Sequence, residues 1–156
     1  ITEAAKRFLS TKQTEGEHLQ RDIEKKLDHV LELVSFIEKR SPKILKEYRE
    51  KIMAKVEELL EDRKIDDSIL AAELTIFADK ICVDEETVRL ISHVNSMREA
   101  LKGDASVGRK LDFIAQEMNR EANTILSKAN DREVSEHAID LKTEIEKIRE
   151  QIQNIE

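Results

Sequence analysis

Hydrophobic residues recur along the chain at intervals of three and four, and no stretch alternates with the period of two that a strand requires. Leu19, Ile23, Leu27, Val30, Val34 and Ile37 are spaced four, four, three, four and three apart, which predicts a helix from near the N-terminus to about Arg40 with a seam for a partner helix. Ser41-Pro42 reads as a stop and restart, with Ser as cap and Pro at the first helical position. The helix that follows carries Ile44, Leu45, Tyr48, Ile52, Val56 and Leu59 to about Asp62. A polar connection, 63–66, leads to a helix capped by Asp67 or Ser68 and running to about Cys82, with Leu70, Leu74, Phe77 and Ile81 inward. Asp84 opens the next helix, with Glu85 and Glu86 in the acidic first turn, Leu90, Val94, Met97 and Leu101 as its stripe, and Gly103 as its stop.

Two further periodic segments complete the chain. From Gly108 to about Asn130, Leu111, Ile114, Ala115, Met118, Ala122, Ile125 and Leu126 form one apolar face. From about Asp131 to the end, Val134, Ala138, Leu141, Ile145, Ile148, Ile152 and Ile155 alternate four and three. Such an Ile-rich seam suits either assembly with other copies or antiparallel pairing with the first helix, and intramolecular pairing is the expectation. The fold class is therefore all-α, with long helical hairpin or coiled-coil-like seams and a bundle of shorter helices. The predicted organisation is an arm over residues 1–64 and a helical region over residues 65–156.

Composition agrees: of 156 residues, 39% are charged and 3% aromatic, with three Gly and one Pro, which suits long helices. No apolar run is long enough to span a membrane. The first residue is Ile and no basic-then-apolar leader follows it, so a fragment or processed product is expected, not a secretory precursor. Cys82 stands alone, which excludes an internal disulfide, fits a reducing compartment, and reads as a small core residue beside Ile81 and Val83. The net charge of −7 speaks weakly against nucleic acid, yet the charge is segregated: Lys39 to Lys55 holds seven basic residues against Glu47 and Glu50, a local balance of +5. A solvated helix face is the ordinary reading of that run.

The helix from Gly108 carries more polar specificity than folding needs. Asp112, Gln116, Asn119, Arg120, Asn123 and Ser127 share a face rich in amides and hydroxyls, where a plain solvated face would carry Glu and Lys. Arg109 and Lys110 fall in a first turn that is already positive, so backbone amides, dipole and side chains together suit a phosphate, with Gly103 and Gly108 supplying the loop. A solvated basic turn explains the same residues equally well. On the preceding helix, Glu86, Arg89 and His93 line the margin of the apolar stripe. His93 is placed to act as general acid, general base or metal ligand, while a packing imidazole beside a Glu86–Arg89 ion pair is the plainer alternative. His18, His29 and His137 read as surface residues. No nucleotide-binding Gly-rich loop, HExxH, CxxC or nucleophile elbow is present.

The run Gly108 to Phe113, then Gln116 to Thr124, then Ser127 to Asp131, resembles the C-terminal signature of the bacterial YicC/YloC family. The resemblance extends downstream through Leu141-Lys142 and Glu146 to Gln151 to the terminal Gln153 to Glu156. Upstream it takes in Ala78 to Lys80, Asp84 to Glu86, Arg89-Leu90, Ser92-His93 and Arg98-Glu99, and it also includes Glu15 to Glu17 and Glu47 to Arg49. It implies a cytoplasmic, metal-dependent endoribonuclease that cuts single-stranded RNA as a homo-hexamer enclosing its substrate. It also implies an N-terminal domain that this chain does not contain.

Joined to that resemblance, the residues acquire expected roles. His93, Glu86 and Glu117 are the catalytic candidates. Asp112, Glu117 and Glu121 are the candidate ligands for Mg²⁺ or Mn²⁺, hard ions that oxygen donors suit. Arg89, Arg109, Lys110, Arg120 and Lys128 would hold RNA phosphates, and Gln116, Asn119 and Asn123 would meet sugar or base edges. Phe113 either stacks on an unpaired base or is buried against a neighbouring helix. A non-catalytic RNA-binding adaptor and a coiled-coil scaffold are the rival classes, and the polar face weighs against the scaffold.

Overall fold

The computed structural model describes residues 2–61, 63–103 and 107–155, and these form five helices. They are α1 (Thr2–Leu60), α2 (Asp67–Ile81), α3 (Asp84–Leu101), α4 (Gly108–Lys128) and α5 (Arg132–Gln153). Among the described residues there is no strand, as the absence of period-two patterning requires.

The seams predicted on the first and last helices meet each other. Along α1 and α5, His29 lies 3.3 Å from Glu144, the Phe36 ring stacks on His137 with centroids 3.7 Å apart, and Arg40 reaches Asp131, so the two helices run antiparallel. The same logic orders the rest: Arg98 of α3 meets Glu24 and Asp28 of α1, Lys128 of α4 meets Glu86 of α3, and Arg149 of α5 meets Asp112 of α4. The middle of α1 with α3, α4 and α5 thus makes a four-helix bundle whose neighbouring helices are antiparallel. Ile23 to Ile37, Leu90 to Met97, Leu111 to Ile125 and Val134 to Ile152 supply one continuous core, which spans both regions that the sequence divides at residue 64. His137, expected at the surface, is half-buried by its stack on Phe36.

The break expected at Ser41-Pro42 does not occur. Helix α1 continues through Pro42 for 59 residues, about 88 Å of helical path at 1.5 Å per residue, and is bent and not straight. Pro42 withdraws one backbone donor from the helix. Contacts around it hold the turn together: Ser41 Oγ donates to the Ile37 carbonyl at 2.8 Å, and the Arg40 guanidinium donates to both Glu47 oxygens, at 2.7 and 2.9 Å, bridging the turns on either side. Arg40 also donates to Asp131 at 3.0 and 3.2 Å and lies 3.1 Å from Glu133. The guanidinium holds the Asp131 carboxyl below its ordinary range, and the Val134 amide, donating to Asp131 as α5's cap, pulls the same way.

Beyond Pro42, α1 is covered by α2. Tyr48 stacks on Phe77 at 3.6 Å and its hydroxyl donates to Glu73 at 3.0 Å, while Leu70 and Phe77 are buried. The cap of α2 is Asp66, one residue before the expected Asp67 or Ser68, and its carboxylate accepts from the Ser68 amide at 2.9 Å. Cys82, expected in the core, is exposed: it is the extended C-cap of α2, and there Val83 turns inward in its place. No helix of the described chain is long and apolar enough to cross a membrane.

Candidate nucleic-acid interface

Antiparallel packing of α3 on α4 brings two helical i, i+4 pairs to opposite banks of one groove. Arg89 and His93 come from α3, and Glu117 and Glu121 from α4. Together with Ser92 and Arg120 they line an open cleft of about 420 Å³. Glu121 is only 6% exposed and lies 3.8 Å from the Arg89 guanidinium, which also pairs with Glu85. The i, i+3 pair expected between Arg89 and Glu86 is not made, because Glu85, one turn before Arg89, takes that role. His93 is half-buried at the cleft wall. The cleft therefore offers an imidazole, two carboxylates and two guanidinium groups to one ligand.

The amide face of α4 adjoins this cleft. Gln116, Asn119, Arg120, Asn123, Thr124 and Ser127 line a second depression of about 420 Å³, and Arg120 belongs to both. Thr124 and Ser127 spend their hydroxyls on α4's own carbonyls, and Gln116 donates to Asp112 at 2.8 Å. Among the described residues, Asn119 and Asn123 have no hydrogen-bond partner for their amides, which remain available to a ligand.

Arg109 and Lys110 do lie in the first turn of α4, after Val107 at the cap, and among the described residues neither pairs with a carboxylate. Residues 104–106 of the expected phosphate loop lie outside the described part of the chain. Phe113 is 62% exposed, which leaves its ring open to solvent and removes the buried alternative.

Three nominated residues are placed elsewhere. Glu86 is 4% exposed; one oxygen accepts from Lys128 Nζ at 2.7 Å and the other has no partner. Lys128 is committed to that carboxylate and to the Cys82 carbonyl at 3.1 Å, so both residues are held in a structural tie between the ends of α3 and α4. Asp112 faces α5, where it accepts from Arg149 at 3.0 Å. It is about 140° around the helix from Glu117, as five residues at 3.6 per turn dictate. Among the described residues, no three His, Cys, Asp or Glu side chains gather to hold a metal ion. What α4 does offer is the Glu117–Glu121 edge, the kind of one- or two-carboxylate set that Mg²⁺ uses when phosphates complete its shell. Ser92 is the cleft residue to which the sequence assigns no role, although Ser92-His93 is among the residues that carry the family resemblance.

A family profile described as "Endoribonuclease YicC-like, C-terminal" matches residues 37–156. A protein of Clostridioides difficile named "Probable endoribonuclease YicC" is 42% identical over the whole chain, which covers 54% of that protein. One of the same name from Haemophilus influenzae is 36% identical over 96% of the chain, covering 51% of that protein. The chain thus spans about half the length of these relatives.

Proposed function

This chain belongs to the YicC-like endoribonuclease family, and from that premise we propose that its α3–α4 face binds and cleaves single-stranded RNA. The observation that carries the reading is the convergence of His93, Glu117 and Glu121 on one cleft flanked by Arg89 and Arg120 and open to the amide face of α4. A scaffold has no use for that arrangement.

In this reading Arg89 and Arg120 straddle a phosphate, offsetting charge that builds on its oxygens as the phosphodiester is attacked. His93 and Glu117 sit on opposite banks, the geometry for one to take the proton from the attacking oxygen and the other to deliver a proton to the departing one. Glu121, buried behind Arg89, orients that guanidinium. Asn119 and Asn123 bind sugar or base edges, Arg109 and Lys110 hold neighbouring phosphates, and Phe113 stacks on a base. With Mg²⁺ or Mn²⁺ bound, Glu117 would hold the ion at the edge it shares with Glu121 in place of its proton-transfer role, and the ion would supply the activation of water and the charge stabilisation at the phosphate. The assembled form is proposed as a cytoplasmic homo-hexamer that encloses the RNA.

The adaptor reading keeps one specific support: Glu86, a catalytic candidate, is sealed against Lys128. A single assay separates the two. Labelled single-stranded RNA is incubated with the protein in Mn²⁺, Mg²⁺ or EDTA, alongside His93→Ala and Glu117→Ala. Metal-dependent cutting that either substitution reduces by about a hundred-fold or more is expected. Binding without cutting by the parent protein would replace the nuclease with the adaptor.

A further inference from the structure

A third depression, of about 580 Å³, opens on the far side of the His93 cleft, where the outer face of α3 meets the start of α4. Val88 and Ile91 form its apolar floor, Ser92, Asn95 and Ser96 its polar wall, and Lys110 and Glu99 its charged rim, where Glu99 is neutralised by Lys102 at 3.1 Å and Lys110 is left as the cation facing a ligand. None of the α3 residues in it belongs to the amide face or to the proton-transfer pair. Ser92 lines both this depression and the His93 cleft, as Arg120 lines both the cleft and the amide face, so the three join into one track crossing from α4 to α3.

We infer that this α3 platform is a second seat for the RNA strand, holding a nucleotide on the opposite side of the cleft from the amide face. The inference rests on the reading of the cleft as an RNA site. Its chemistry fits an unpaired nucleotide. An exposed valine beside isoleucine gives an apolar patch against which the face of a base can pack, without aromatic stacking. Asn95 and Ser96 are exposed, and among the described residues their side chains have no hydrogen-bond partner, which leaves donors and acceptors free for a base edge or a 2′-hydroxyl. Lys110, also without an ion pair among the described residues, stands where the flanking phosphate would lie. A strand seated on both sides of His93 and Glu117 is held across the bond to be cut, so the platform sets which linkage reaches the cleft.

The test is a series of oligouridylates from about three to about twelve nucleotides, with affinity measured by fluorescence anisotropy for the parent protein, Ser96→Glu and Asn123→Glu. Both substitutions are on exposed helical positions, and circular dichroism with urea midpoints verifies the fold. The expected result is a Ser96→Glu deficit that grows with length to roughly ten-fold, from one lost hydrogen bond and a negative charge placed beside the strand. Asn123→Glu is expected to weaken all lengths. Equal affinity of parent and Ser96→Glu at every length would overturn the platform while leaving the RNA reading in place. A Ser96→Glu protein with altered oligomeric mass and unchanged RNA binding would reassign the face to protein contact. A parent protein that binds no length would remove the RNA reading and the platform with it.

Discussion

Replacing Lys128 with Met tests whether the Glu86–Lys128 tie belongs to the fold or to RNA. Glu86 is 4% exposed, and Lys128 supplies its one hydrogen bond, at 2.7 Å. Removing one partner of a buried pair costs about 3–5 kcal/mol because the other charge is left uncompensated. The Lys128 side chain is 34% exposed, so water enters the vacated space and the cost falls to about 2–3 kcal/mol. The added loss of the bond to the Cys82 carbonyl frees the α2–α3 junction as well. Restoring an apolar match with Glu86→Leu in the Lys128→Met background is expected to recover most of the loss, since isosteric replacement of both charges is often neutral. Urea unfolding of the parent, both single variants and the double variant yields the coupling as a double-mutant cycle. A Lys128→Met loss below about 0.5 kcal/mol, with RNA affinity sharply reduced, would refute the structural assignment and return Lys128 to the phosphate-binding set.

Substitutions at Asp131, Ile148 and Arg120 probe the cap of α5, the core and the cleft in turn. Asp131→Ala removes both the α5 cap and the Arg40 contact, and a loss of about 1–2 kcal/mol from the cap alone is expected in urea unfolding. Because the folded Asp131 carboxyl is held below its unfolded value, its contribution is present above roughly pH 4 and vanishes as pH falls through the folded value. Asp131→Asn should therefore flatten the acid limb of the stability profile, and an unchanged limb would contradict the pairing. Ile148→Ala, at a position with 0% exposure, should cost about 2–5 kcal/mol by thermal or chemical unfolding. Arg120→Ala should weaken RNA binding uniformly across sequences and lower the slope of log affinity against log salt by about one; an unchanged slope would remove it from the phosphate contacts.

Amphipathic register was legible because it is local. The stripes on α3, α4 and α5 and the seam of α1 fall where helical spacing puts them, and two matching seams in one chain point to each other. Pro42 was misread because the rule for proline is local and the answer is not: Arg40 joins Glu47 to Asp131, which lies 91 residues on. Glu86 shows the same limit. Its place on the margin beside Arg89 and His93 follows from the wheel, but whether that margin opens to solvent is settled by Lys128, 42 residues away. Asp112 was grouped with Glu117 and Glu121 by chemistry, and helical angle alone separates them. The amide face was visible in sequence because Asn at positions that favour Glu or Lys is a cost to helix formation with no packing return.

Helix α1 is one bent helix that is uneven in protection. Residues 2–18 are exposed along their whole length, while Ile23, Leu27, Val30, Val34 and Ile37 are sealed in the core. A helical segment without tertiary cover is marginal in water, so its amides open locally, whereas those inside the bundle open only when the bundle does. Within this one helix, exchange rates therefore fall steeply across about one turn near Leu19. The exposed segment adds almost nothing to the cooperativity of unfolding, and its ellipticity is lost on warming well before the melting of the core.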